Sequence, residues 1–139
     1  MENYDYQITK LQQEIDNLQN KIVQKRKDIE ECESLIDTCV SVSSEIEESL
    51  DALFQNIDKN NELKEGNFIS YFKQNITSIL SDNGIFDISS DVNNEKNSYK
   101  KKILSIEDEI EKIQKRIHSL ETELSHYQSL AQKKREEMI

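Results

Sequence analysis

The chain has no proline and no tryptophan, and only two glycines and two cysteines among its 139 residues. Without proline, and with Gly66 and Gly84 the sole glycines, few positions oblige a helix to stop. Those two glycines therefore mark the turns. Two cysteines exclude a disulfide-stapled scaffold. Cys32 and Cys39 lie one heptad apart on one expected helix, about 10 Å between their Cα atoms, which is too far to bridge. They read as reduced core thiols of a cytoplasmic protein. No apolar run approaches the ~20 residues of a membrane span. Met1-Glu2-Asn3-Tyr4-Asp5 offers neither a basic start nor an apolar stretch, so no signal peptide is expected.

Clustered positive charge is scarce as well. Net charge is −10, and from Asp28 to Glu65 twelve acids stand against Lys59 and Lys64 alone. Lys100-Lys101-Lys102 and Lys133-Lys134-Arg135 are short and read as solvated helix faces. This balance argues against nucleic acid and against anionic membrane surfaces as partners, because such binding runs on grouped Lys and Arg. Hydrophobic residues make up 35% of the chain and charged residues 33%, a ratio that suits thin helical packing better than a globular core.

What the chain does have is phase. Ile8, Ile15, Ile22, Ile29, Ile36, Leu50 and Ile57 take heptad position a, and Tyr4, Leu11, Leu18, Cys32, Cys39, Ile46 and Leu53 take d. Lys25 and Ser43 alone interrupt this seam, either as register devices or, for Lys25, by snorkelling to solvent. The pattern predicts a helix over 4–58, roughly 80 Å long at the rise of an α-helix, whose seam requires a partner. Lys59-Asn60-Asn61 breaks the spacing and Asn67 is a reasonable N-cap. Phe68, Ile69, Phe72, Ile76, Ile79 and Leu80 then predict a second helix over 67–81, closed by Ser81-Asp82-Asn83-Gly84. Ile85 to Ile88 reads as an apolar link and Ser89-Ser90-Asp91 as the cap of a third helix over 90–137. There Ile103, Ile110, Ile117, Leu124 and Met138 take a, and Val92, Tyr99, Ile106, Ile113, Leu120 and Tyr127 take d.

Loop lengths then predict the architecture: an all-α chain, one elongated helical domain over 1–139, built as a long antiparallel helical hairpin with a short middle helix. Off-seam Leu35, Val40 and Val42 are expected opposite the joint, where they would receive Phe86 and Ile88. The competing arrangement, a three-helix bundle in which the third helix reverses at Gly84, stays open. Gly66 is expected at positive φ or in a close helix contact.

No constellation for catalysis stands out, and neither a cofactor nor a metal is expected. His118 and His126 fall at outer heptad positions, and the one Glu-x-x-His pair, Glu123 with His126, faces outward where di-iron bundles need inward pairs. Neither cysteine has a histidine at zinc spacing, and no glycine-rich phosphate loop exists. Helix three carries Ile at both a and d from Ile103 to Ile117, a preference for three or more strands. The surface that accepts partner helices is therefore expected where Ile8, Leu11, Ile15, Leu18 and Ile22 lie with Ile106, Ile110, Ile113, Ile117, Leu120 and Leu124, completing a four-helix arrangement.

A long helix, then Gly66, then Phe72 opening another helix before a second heptad run resembles the small helical proteins of type VIIb secretion, specifically the YwqH-like accessory proteins of LXG toxins, relatives in architecture of the WXG-type hairpins. In those families a Trp-x-Gly turn joins two antiparallel helices; here Lys64 stands at the tryptophan position, and Gly66, Phe68 and Phe72 form the corresponding turn region. The resemblance implies a targeting factor or chaperone, not an enzyme. It implies an LXG-type toxin domain as partner together with a second small helical protein, in the cytoplasm or co-secreted through the same pathway. Two other readings fit the heptads: a self-associating structural spacer or tether, forming a homo-oligomer, and a prefoldin-like holding chaperone, whose strand-forming linkers have no counterpart in Phe68 to Leu80.

Overall fold

The computed structural model describes the backbone of residues 4–61, 66–82 and 84–138, and the side chains of 4–56, 74–82 and 84–138. Helix α1 spans Asp5–Asn61, α2 Gly66–Asp82 and α3 Ile85–Glu137. The fold is all-α: α1 and α3 form an antiparallel helical hairpin with α2 as the short middle helix between them.

Each end of the long helices has a local cause. At the start of α1 the Ile8 amide donates to the Tyr4 carbonyl at 2.9 Å, and Asp5 in the first turn complements the positive end of the helix dipole. At the end of α3, Lys134 and Arg135 occupy the last turn, and the Met138 amide is shared between the carbonyls of Lys134 and Arg135.

The α2–α3 joint differs from the expectation. Gly84 has φ of 75°, and its amide donates to the Ser81 carbonyl at 3.0 Å, closing α2. Its own carbonyl accepts from the Ile88 amide at 2.8 Å, so α3 begins at Ile85 rather than at 90. One left-handed residue thus ends one helix and starts the next, and Ser89, Ser90 and Asp91 lie inside α3 instead of capping it. The heptad phase runs back with it: Ile85, Ser89, Val92, Lys96 and Tyr99 are half-buried among exposed neighbours, at successive d and a positions.

That earlier start overturns one packing expectation. In a helix beginning at Ile85, each side chain steps about 100° from the last, so of the apolar residues Ile85, Phe86, Ile88 and Val92 it is Ile85 and Val92 that reach the seam, and Phe86 and Ile88 flank it. Phe86 is 43% exposed and Ile88 48%, while Leu35 and Val40 remain exposed too; of the off-seam set, only Val42 is half-buried. A flexible link could have turned Phe86 inward. A helix does not leave that freedom.

The chain packs as two units. One unit comprises Met1–Glu31 with Lys102–Ile139, and its core is Leu11, Ile15, Ile22, Ile106, Ile110, Ile117 and Leu120, with Leu18, Ile29, Ile113, Leu124 and Tyr127 packed partly buried against it. The other comprises Cys32–Lys101, and Cys32 and Cys39 are its buried residues among those described. Both cysteines are free thiols.

Gly66 is the first residue of α2, with Phe68 and Phe72 in its opening turns; the surroundings of all three lie outside the described side chains. The residue to test is Gly84. A Cβ there would meet nothing within 4 Å, so any penalty comes from the left-handed backbone alone, roughly 1–2 kcal/mol. Gly84→Ala is expected to lower the melting temperature by several degrees, and Gly84→Asn by less, because asparagine tolerates this conformation. Thermal melts followed by circular dichroism check this; an alanine variant that melts like the parent would show that the joint contributes no stability.

Candidate functional site

The residues expected to receive a partner are brought together, and they are brought together against each other. Leu11, Ile15 and Ile22 from α1 interlock with Ile106, Ile110, Ile117 and Leu120 from α3. Leu120 is the most enclosed, at 1% exposure. Ile8, Leu18, Ile113 and Leu124 are half-buried along the same seam. Their spacing explains the arrangement: alternate steps of three and four residues keep one stripe of each helix aimed at the other.

Two polar landmarks set the register of this unit. At one end the rings of Tyr4 and Tyr127 lie 5.9 Å apart, and Lys134 Nζ stands 5.7 Å from the centroid of the Tyr4 ring, within cation–π range. Farther along, Lys25 Nζ forms an ion pair with Glu109 Oε2. Residue 4 against 127 and residue 25 against 109 run in opposite senses along the two helices, as an antiparallel seam requires.

Lys25 occupies a d position, and the Glu109 carboxylate across the interface is what reconciles a cation with that place. The Lys25 side chain is 28% exposed and that of Glu109 50%, so the pair is screened by water and adds at most about 1 kcal/mol. Its stronger effect is on register: sliding one helix by a heptad would bring Lys25 opposite a different neighbour and strand its charge beside an apolar seam. Glu109 was not identifiable from its own spacing, since as one of many acids at flanking positions it carries no mark until the antiparallel register is known. Two further pairs, Lys112 with Asp108 and Lys115 with Glu111, are exposed one-turn contacts along α3.

The chemistry-bearing side chains stay apart. His118 and His126 are exposed, and His126 makes an edge contact with Tyr127 at 5.7 Å. Among the described residues, no group of three or more His, Cys, Asp or Glu is placed to hold a metal ion. Two hollows, one lined by Gln74, Thr77, Ser78, Ser81 and Asp82 and one by Ser125, Gln128, Ser129, Gln132 and Lys133, are each formed by a single helix. No helix among the described residues is long and apolar enough to cross a membrane.

Comparison with known protein families, with characterised proteins and with solved structures finds no match for this chain. What the molecule offers is therefore its own helix surfaces, above all the seam and the apolar residues beside it.

The ion pair yields a test of why Lys25 sits in the seam. Lys25→Leu is expected to raise the melting temperature by a few degrees, because an apolar side chain packs where a screened charge pair adds little. It should also broaden the species distribution in size-exclusion chromatography with light scattering, as the register constraint is lost. A variant that melts below the parent would show that the pair stabilises the unit more than apolar packing does.

Proposed function

We propose that this chain is an interaction protein: a targeting factor or chaperone that lays its helices against the helical LXG-type domain of a type VIIb secreted toxin, with a second small helical protein as a further partner. The observation that carries the reading is the thinness of the α1–α3 seam. One layer of side chains separates the two helices, and Leu18, Ile29, Ile113, Leu124 and Tyr127 stay only partly buried although they pack on the core. A two-helix pair has no third side to cover such residues. Helices from another chain, lying along the stretch from Ile8 to Ile22 and Ile106 to Leu124, would complete the cover as a four-helix arrangement, and would satisfy the Ile-rich a and d positions of α3 that favour more than two strands.

The toxin class comes from the likeness of the Gly66 to Phe72 region to the accessory proteins of that pathway, and the helical chemistry of the partner comes from the seam. Helix-on-helix recognition of this kind runs on apolar anchors at helical spacing.

Co-expression of the tagged chain with an LXG-type domain, affinity capture and size-exclusion chromatography test the proposal. The expected result is a complex that stays together through the column. Recovery of the chain alone as a homo-oligomer, with the LXG-type domain left behind, would overturn it in favour of a structural spacer.

A further inference from the structure

The unit formed by Cys32–Lys101 carries an apolar surface that its own helices leave open, and the charge around it says what fits there. Along α1 the residues Glu33, Asp37, Val40, Ser44, Glu47, Asp51 and Phe54 recur at alternate steps of four and three, so they form one stripe beside the seam. Val40 is 48% exposed in the middle of it and Phe54 is half-buried at one end. Across the seam, Phe86 of α3 occupies the same flanking heptad position as Val40, and antiparallel packing places those positions of the two helices on one side. Phe86 is 43% exposed. Val40, Phe54 and Phe86 are thus apolar anchors on one side of the unit.

The carboxylates of Glu33, Asp37, Glu47 and Asp51 frame these anchors, and all four residues are exposed. None takes part in an ion pair with a described residue. Between Lys27 and Lys59, α1 has no basic residue at all. On the facing side of α3, Ser90, Asn93 and Asn97 are neutral, and Lys100 falls at the Glu33 end. Asp37, Glu47 and Asp51 therefore lack a cation from either helix at their flanking positions.

We infer that this face docks a basic amphipathic helix of a partner protein, whose apolar stripe covers Val40, Phe54 and Phe86 and whose lysines and arginines meet the carboxylates. Apolar anchors supply the burial, and the acid frame selects the sign of the partner's charge. A second copy of the chain does not suit the face: it would bring the same acids into opposition, on a molecule whose net charge is already −10. The inference deepens the reading as a helix-binding adaptor by giving the partner helix a charge and a place on the Cys32–Lys101 unit.

The purified full-length chain is titrated into two labelled synthetic amphipathic helices with leucine at a and d, one with lysine on the polar face and one with glutamate, and binding is read by fluorescence anisotropy. The lysine helix should bind and the glutamate helix should not, with affinity falling as salt is raised. Val40→Asp and Phe86→Ser should each weaken binding at least about tenfold. The charge-neutral triple Asp37→Asn, Glu47→Gln, Asp51→Asn should weaken it severalfold and flatten the salt dependence. Leu35→Asp, an exposed residue on the other side of the seam, should leave binding unchanged. Circular dichroism checks that each variant keeps the helix content of the parent, and the triple, which alters no apolar side chain, decides if either apolar variant loses it. Equal binding of both peptides, loss of binding in Leu35→Asp but not in Val40→Asp, or a parent homodimer dispersed by Val40→Asp would each overturn the inference. Absence of lysine-peptide binding removes this face as a site while capture of an LXG-type domain is read separately, so the two proposals fail by different results.

Discussion

Everything in this molecule depends on one constraint: two long helices whose apolar residues lie in a stripe only a few side chains wide must find cover, and each finds it on the other. The seam is a single layer, so it has no interior in the sense of a globular core. Among the described residues of the Met1–Glu31 and Lys102–Ile139 unit only Leu120 is almost completely enclosed, and its neighbours on the seam keep a small share of their surface in water. Stability in such an arrangement comes from the repetition of modest burials along the helices, each on the order of 1–3 kcal/mol before conformational entropy is subtracted. A single polar intrusion such as Lys25 is tolerated because one step of many is weakened, and because Glu109 meets it from the other helix.

The same thinness has a functional consequence. A globular protein hides its apolar residues behind several layers, whereas a hairpin leaves its flanking positions open by geometry. Leu35, Val40, Phe86 and Ile88 are all exposed for this reason. Flanking positions on most such helices are polar, and scattered apolar ones need no explanation. Those of the Cys32–Lys101 unit differ in company: Val40 and Phe86 stand on one side of the seam, and the stretch of α1 that carries Val40 is free of positive charge. An adaptor that recognises helices needs anchors of this kind together with a charge that rejects the wrong partner.

Gly84 shows how much one residue arranges. By ending α2 and starting α3 at once, it places Ile85 on the seam and extends the heptad register of α3 by one further turn and more. The same step turns Phe86 and Ile88 outward. A joint with a few flexible residues could have folded both into cover and removed the exposed aromatic and aliphatic positions that flank the seam there.

Hydrophobic period by itself determined the all-α fold, the three helices and the a and d residues of the seam, because a 3.5-residue repeat sustained over many turns admits one local structure; loop lengths favoured the antiparallel hairpin over a bundle reversed at Gly84, and the tertiary structure decided between them. The free, buried state of Cys32 and Cys39 and the outward placing of His118 and His126 followed from the same lettering. Tertiary structure alone decided three matters. Glu109 became the partner of Lys25 because register across two helices distant in sequence depends on the summed fit of the whole seam. Gly84 rather than Ser89 to Asp91 set the start of α3, because a backbone carbonyl already aligned by a left-handed glycine accepts the first helical hydrogen bond without any side-chain cap. Phe86 stayed exposed because its direction is fixed by helix rotation counted from that start, a quantity no local preference of phenylalanine contains.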